Sequence, residues 1–248
     1  MPLHFLVDGI GEPPVWERGG AVVLTGAEAY HAAVVRRVRV GERVTVGDGV
    51  GTWGGGEVES VTPKEVVIRV ADVAVLPAPS PRVVLVQALA KGDRDELAVQ
   101  AATELGADEI VPWQAARSVS RWDAAKSAKG VARWSAIVRE AAKQAHRAWL
   151  PAVTAPAGLG DLVARAGQAR TLVLEPTASA RLSDVNLDVD DPRDVVLVVG
   201  PEGGMAPAEL SALQDAGATL VRLGDTVLRT STAGPAALAL VNVRLGRW

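Results

Sequence analysis

Val195 to Pro207 reads VVLVVGPEGGMAP, and Leu223 to Pro235 reads LGDTVLRTSTAGP. Each places an apolar or turn-rich run before glycine and polar residues, and then a helix-like segment. Val195–Val199 is a short continuous apolar run, the pattern of a strand buried on both faces of a parallel sheet. Gly200-Pro201-Glu202-Gly203-Gly204 fits neither strand nor helix interior. Glycine lets a ligand approach the backbone, and α/β sheets bind ligands just past the carboxyl ends of their strands. A small-molecule site is therefore expected here.

Working outward, strands alternate with helices from residue 82 to 248, which implies a parallel α/β sheet. Strands are expected at Val83–Gln87, Glu109–Trp113, Thr171–Pro176 and Thr219–Leu223. Helices are expected after Asp93 or Asp95, over Ala128–Leu150 with Pro151 as its stop, over Pro207–Ala216, and from Thr232 to Leu245. Three strand ends carry unusual loops: Leu174-Glu175-Pro176, Gly200–Gly204 and Leu223–Ser231. Side by side, they would offer backbone groups and apolar faces such as Leu223 and Leu228 to one ligand.

Upstream, residues 1–75 are rich in short β-branched segments: Val22–Leu24, Arg43–Val46, Gly56–Val61 and Glu65–Val70. Gly54-Gly55-Gly56 is expected to be a hairpin turn, and Gly26–Val38 a short helix. Leu76-Pro77-Ala78-Pro79-Ser80-Pro81 is a stiff linker and marks the boundary.

The chain has 248 residues, no cysteine and a net charge of −3. Absent cysteine excludes disulfides, thiolate metal sites and a cysteine nucleophile; no metal is expected. There is no signal-peptide pattern at the N-terminus and no apolar run of bilayer length, so no membrane association and a cytoplasmic location are expected. The charge is unevenly spread. Between Pro112 and Leu150 eight basic residues face two acidic ones. A second basic cluster is Arg36, Arg37, Arg39 and Arg43. Local patches, not net charge, mark phosphate binding. The RNA-binding candidates are Arg36, Arg37, Arg39, Arg94, Arg117, Arg121, Lys143 and Arg147. The dinucleotide GxGxxG, the P-loop and the hydrolase GxSxG are all missing. A non-catalytic RNA-binding protein would explain the basic window but not the three loops.

Lys91-Gly92-Asp93-Arg94, Glu104–Ala107, Arg117-Ser118-Val119, Glu140–Arg147, Leu174-Glu175-Pro176, GPEGG and Leu223–Thr230 occur in one order over nearly the whole chain. In this the chain resembles the small-subunit ribosomal RNA uridine N3-methyltransferases (the RsmE family) of the SPOUT superfamily. The resemblance implies a PUA-like β-barrel followed by an α/β domain with a trefoil knot. It also implies S-adenosyl-L-methionine as cofactor, 16S rRNA in the small ribosomal subunit as substrate, and a homodimer. A SPOUT ribose 2′-O-methyltransferase is the neighbouring alternative. Cofactor-binding candidates are Leu174, Glu175, Pro176, Val199, Gly200, Glu202, Gly204, Leu223, Gly224, Val227, Leu228, Arg229, Thr230 and Ser231. The family often has Glu where this chain has Ser231, whose hydroxyl is suited to capping the terminal helix. Catalytic candidates are Arg229 and Arg147, as cations for a uridine anion, and Glu202 as a base. Glu202 is read first as a builder of its loop, its carboxylate bonding backbone N–H groups there. His31 and His146 are read as structural or RNA-contacting groups.

Overall fold

The computed structural model describes residues 2–7 and 14–248. It divides into two units: Met1–Ala78 with Lys143–Leu150, and Pro79–Ala142 with Pro151–Trp248.

The first unit is a curled sheet of β1 (Leu3–Leu6), β2 (Ala21–Thr25), β3 (Arg43–Gly47), β4 (Thr52–Val61) and β5 (Glu65–Val75), ordered β1-β3-β4-β5-β2. Alternation along these strands turns Phe5, Val22, Leu24, Val44, Val46 and Ile68 into one core. β1, only four residues long, was not among the strands expected from the sequence. Gly54-Gly55-Gly56 is not a turn: it lies inside β4, at a bulge against β5. The reason is crowding. A Cβ on Gly55 would come 2.8 Å from Asp72 Oδ1, and one on Gly56 2.6 Å from the Arg69 carbonyl. The expected helix is α1 (Gly26–Tyr30), continued by one π-turn over His31–Val35. Arg36, Arg37 and Arg39 follow it and are exposed.

Lys143 is corrected by the structure. It is 5 % exposed, and its ammonium donates to Glu28 Oε2 at 3.1 Å and lies 3.0 Å from His31 Nδ1. A lysine committed to a buried carboxylate does not reach RNA. Nearby, His4 is buried, with Nδ1 2.9 Å from Thr45 Oγ1, while Thr45 Oγ1 is 3.3 Å from the Leu3 carbonyl. The single hydroxyl proton goes to that carbonyl, so His4 Nδ1–H donates and Nε2 is left without a partner. Burial first, then the charges of His146 and Lys143, push the His4 pKa down from 6.5 to about 4. The unfolded chain therefore binds a proton that the folded chain refuses. Stability from neutral His4 is complete above pH 6.5 and is lost as pH falls toward 4, by on the order of 3 kcal/mol. Thermal midpoints of the wild type are expected to drop across that interval, and those of His4→Gln to drop less. Parallel pH profiles would remove His4 as the cause.

The second unit is a six-stranded sheet, all of whose pairings are parallel. Its strands are β6 (Val83–Ala88), β7 (Glu109–Trp113), β8 (Ala152–Val153), β9 (Arg170–Leu174), β10 (Val195–Val199) and β11 (Thr219–Val221), in the order β11-β9-β10-β6-β7-β8. Every residue of β6, β7 and β10 is buried, as expected where both faces are covered. The helices are α2 (Arg94–Glu104), α3 (Ala124–Gln144), α4 (Leu159–Ala166), α5 (Pro207–Asp215) and α6 (Thr230–Arg244). α4 and β8 were not among the elements expected from the sequence. α3 begins earlier than the expected 128–150, and it also ends earlier, just before His146 adopts a left-handed φ of +53°. Trp134, Val138 and Ala141 form its buried face, whereas Ala145 and Trp149 lie past its end. The chain builds β6 to β8 toward one edge, then returns to place β10 between β9 and β6. That reversal is a topological switch point, where such sheets hold ligands.

Among the described residues no helix is long and apolar enough to cross a membrane. No cluster of three or more His, Asp or Glu that could hold a metal ion occurs among them either.

Candidate active site

β11, β9 and β10 are neighbours, and their last residues are in register: Val221 opposite Leu174, and Leu174 opposite Val199. The three loops that follow enclose a pocket of about 410 Å³, within the usual range of about 300–1,000 Å³ for small-molecule sites. Its wall contains Leu174, Glu175, Pro176, Val199, Gly200, Glu202, Gly204, Leu223, Gly224, Val227, Leu228, Arg229 and Thr230. Of the expected cofactor-binding residues only Ser231 is absent from it. α6 starts at Thr230, one residue after its N-cap Arg229. Ser231 therefore sits inside the first turn and does not cap the helix.

The loops are held by side chains from several elements. Gly204 has φ +70°, and its N–H closes a turn onto the Pro201 carbonyl at 2.9 Å. Thr230 Oγ1 donates to the Gly200 carbonyl at 3.0 Å and accepts from Gln87 Nε2 at 2.8 Å. Gln87 thus ties the second and third loops together from β6. It is fully buried at the end of an apolar strand; a polar residue in that position is the signal by which it could be found. Gly234 lets α6 lie against the sheet, since a Cβ there would come 2.9 Å from Leu85 Cδ1. Glu209 accepts from the Ala206 and Ala116 N–H groups at 2.8 and 2.7 Å, anchoring the start of α5. Arg117, expected to meet RNA, donates to the Gly203 and Met205 carbonyls, both at 3.3 Å. It is exposed, and it braces the glycine loop.

Glu202 Oε1 accepts from the Lys91 N–H at 3.2 Å and from Arg94 Nη1 at 3.0 Å. Burial alone would raise its pKa. Hydrogen bonds from backbone N–H groups and from Arg94 outweigh this, and the net direction is down. An ionised carboxylate stabilised in this way is a weak base. These bonds fasten the glycine loop to residues 90–94. Glu175 is likewise engaged, by the Thr177 N–H and hydroxyl at 3.1 and 2.8 Å.

Three arginines line the pocket. Arg94 is paired with Glu202, and Arg222 Nη1 donates to the Ala178 and Ser179 carbonyls. Arg229 is exposed, and among the described residues its guanidinium has no carboxylate partner. Arg147 is not in the pocket wall; it belongs to the first unit. Pro201, Met205, Val221, Arg222, Thr226 and Ala233 also line the pocket and were not expected there from the sequence.

The pocket fits an adenosine-like group. Leu174, Val199, Leu223 and Leu228 are apolar, a Cβ on Gly224 would meet nothing within 4 Å, and main-chain polar groups end all three strands. Residues 77–242 match the model of an RNA methyltransferase domain, and residues 24–71 that of an RNA methyltransferase PUA domain. These two matches define the class, an RNA methyltransferase with an attached PUA domain. A ribosomal RNA small subunit methyltransferase E from Mycobacterium tuberculosis is 46% identical over 94% of this chain and 90% of its own. One from Bacillus subtilis is 30% identical over 88% of each chain. A methyltransferase from Legionella pneumophila, solved with bound S-adenosylmethionine, has a TM-score of 0.84 at 31% identity. The Neisseria gonorrhoeae methyltransferase E, also bound to S-adenosylmethionine, has 0.83 at 26%; each comparison covers 98% of both chains. The chain belongs to the ribosomal RNA small subunit methyltransferase E family.

Proposed function

We propose that the chain methylates N3 of one uridine of 16S rRNA, in the small ribosomal subunit, with S-adenosylmethionine as donor. The observation that carries this reading is the pocket of three strand-end loops, with one uncommitted cation, Arg229, in its wall. Leu174, Val199, Leu223 and Leu228 would hold the adenosine, and the backbone at Gly200 and Gly224 would approach it closely. Bound there, the cofactor supplies an electrophilic methyl group.

Uridine N3 is a poor nucleophile while its imide proton remains. Arg229 stabilises the anion formed when that proton leaves, and so raises the reactive fraction. Glu202 and Glu175 are engaged elsewhere, and the proton passes to water at the open side of the pocket. The rest of the acceleration comes from holding the two reactants in line. The same reading carries a knotted backbone, a homodimer and a cytoplasmic location.

The test uses the purified protein, methyl-labelled cofactor and small subunits from cells lacking the gene. Nuclease digestion and mass spectrometry are expected to find label in N3-methyluridine. Label in a ribose 2′-O-methyl group, or no label in RNA, overturns the reading.

A further inference from the structure

The α/β unit has a second concavity, of about 530 Å³, outside the donor pocket. It is bounded by the loop at Ala90–Gly92, the start of α2, residues 120–122 and the first half of α3. Its character is set by Arg121, Trp122, Lys126, Lys129, Gly130 and Trp134.

The charges do not cancel. Arg133 is paired with Glu96, at 2.8 Å from Nη2 to Oε2. Asp95 turns its carboxylate onto the Ala90 and Glu96 N–H groups, at 3.1 and 2.9 Å. Arg121 gives one N–H to the Ala116 carbonyl at 3.1 Å and keeps its charge. Lys126 lies 3.8 Å from Asp123, both about two-thirds exposed, a pairing worth little in water. Among the described residues Lys129 has no ion pair. Three cations therefore face the groove.

The groove also has an aromatic platform. Trp122 lies across α3 where Gly130 leaves room: a Cβ there would come 2.5 Å from the indole ring. Buried Trp134 meets it edge to face, with centroids 5.4 Å apart. Trp122 itself remains partly open to solvent. Cations beside a fixed aromatic face are the chemistry by which proteins hold single-stranded nucleic acid: phosphates on the charges, a base on the ring.

The groove and the donor pocket share a loop. Ala90 and Gly92 form the groove's lip, while the Lys91 N–H and Arg94 hold Glu202 in the donor loop.

We propose that this groove binds single-stranded RNA: the strand flanking the target nucleotide, with phosphates on Arg121, Lys126 and Lys129 and one base on Trp122. The proposal rests on the function given above, and its test separates the two.

Small subunits from cells lacking the gene are methylated by the wild type and by R121Q/K126Q/K129Q. The expected result is a KM for subunits at least tenfold higher with kcat unchanged, the pattern of lost uniform binding. Cofactor affinity by calorimetry stays at the wild-type value, because none of the three residues lines the donor pocket. In parallel, binding of a fluorescent single-stranded RNA is titrated with salt. The log–log slope is expected to fall by about 2 in the triple variant, at about 0.7 per phosphate contact. Trp122→Leu, monitored for folding by its melting curve, is expected to weaken RNA binding about 5- to 150-fold, the equivalent of ~1–3 kcal/mol of stacking. An active wild type with an unchanged KM in the triple variant overturns the groove while leaving the function intact. An unchanged salt slope on free RNA with a raised KM on subunits also overturns it, since the groove would then meet a ribosomal protein. A wild type that labels no RNA overturns the function first.

Discussion

Arg229→Gln is expected to lower kcat for methyl transfer by about 10²–10³, the usual cost of removing one preorganised charge from a developing anion. Arg229 lies at the N-cap of α6, where its backbone carbonyl accepts from the Thr232 and Ala233 N–H groups. Glutamine keeps that backbone and loses only the cation. The melting temperature should change little. The informative variable is pH. If the guanidinium stabilises the deprotonated imide, the variant recovers rate as pH rises, because hydroxide does the work the cation did. A variant that methylates at the wild-type rate, or one whose deficit is the same at every pH, removes Arg229 from the chemistry. Arg94 and Arg222 are poorer candidates, since both are already engaged with protein oxygens.

Lys143→Met is expected to destabilise the protein by about 3–5 kcal/mol, the cost of leaving a buried charge without its partner. Lys143 and Glu28 are 5 % and 4 % exposed and 3.1 Å apart. Methionine fills most of the space, so the loss is electrostatic and not a cavity. The double variant Glu28→Gln/Lys143→Met should be more stable than Lys143→Met alone, because it removes the stranded carboxylate. Denaturant unfolding of the three proteins measures this. A Lys143→Met variant within ~0.5 kcal/mol of wild type, the range of ordinary surface changes, would show that the pair is not buried in solution.

Much of the α/β unit was legible because its signals are local. Short apolar-rich runs mark buried parallel strands, and Val195–Val199 and Glu109–Trp113 have the bounds expected of them. The pocket was legible for the same reason: three odd loops follow three strands. What the sequence hides is long-range. That β9, β10 and β11 are neighbours depends on a strand inserted late between two earlier ones. Gln87 supports Thr230 across 143 positions. Lys143 looked like one more cation in a basic helix, because Glu28 is 115 residues away. The glycines of β4 looked like a turn because nothing local records how closely Arg69 and Asp72 pass. The sequence already offered Glu202 as a builder of its loop; the partners that hold it, the Lys91 N–H and Arg94, lie more than a hundred residues away and were not legible.

The eight residues Lys143–Leu150 belong with the N-terminal sheet, although more than sixty residues of the other unit intervene. Within that unit the Gly51 N–H donates to the Ala148 carbonyl, the Leu150 N–H to the Gly49 carbonyl, and Trp149 Nε1 to the Leu76 carbonyl. The barrel is therefore not a separable cassette. A cut in the proline-rich stretch removes one edge of its hydrogen bonding along with the counter-charge of Glu28. Recombination between relatives would have to exchange two distant stretches together, which ties the inheritance of the N-terminal sheet to that of the α/β unit.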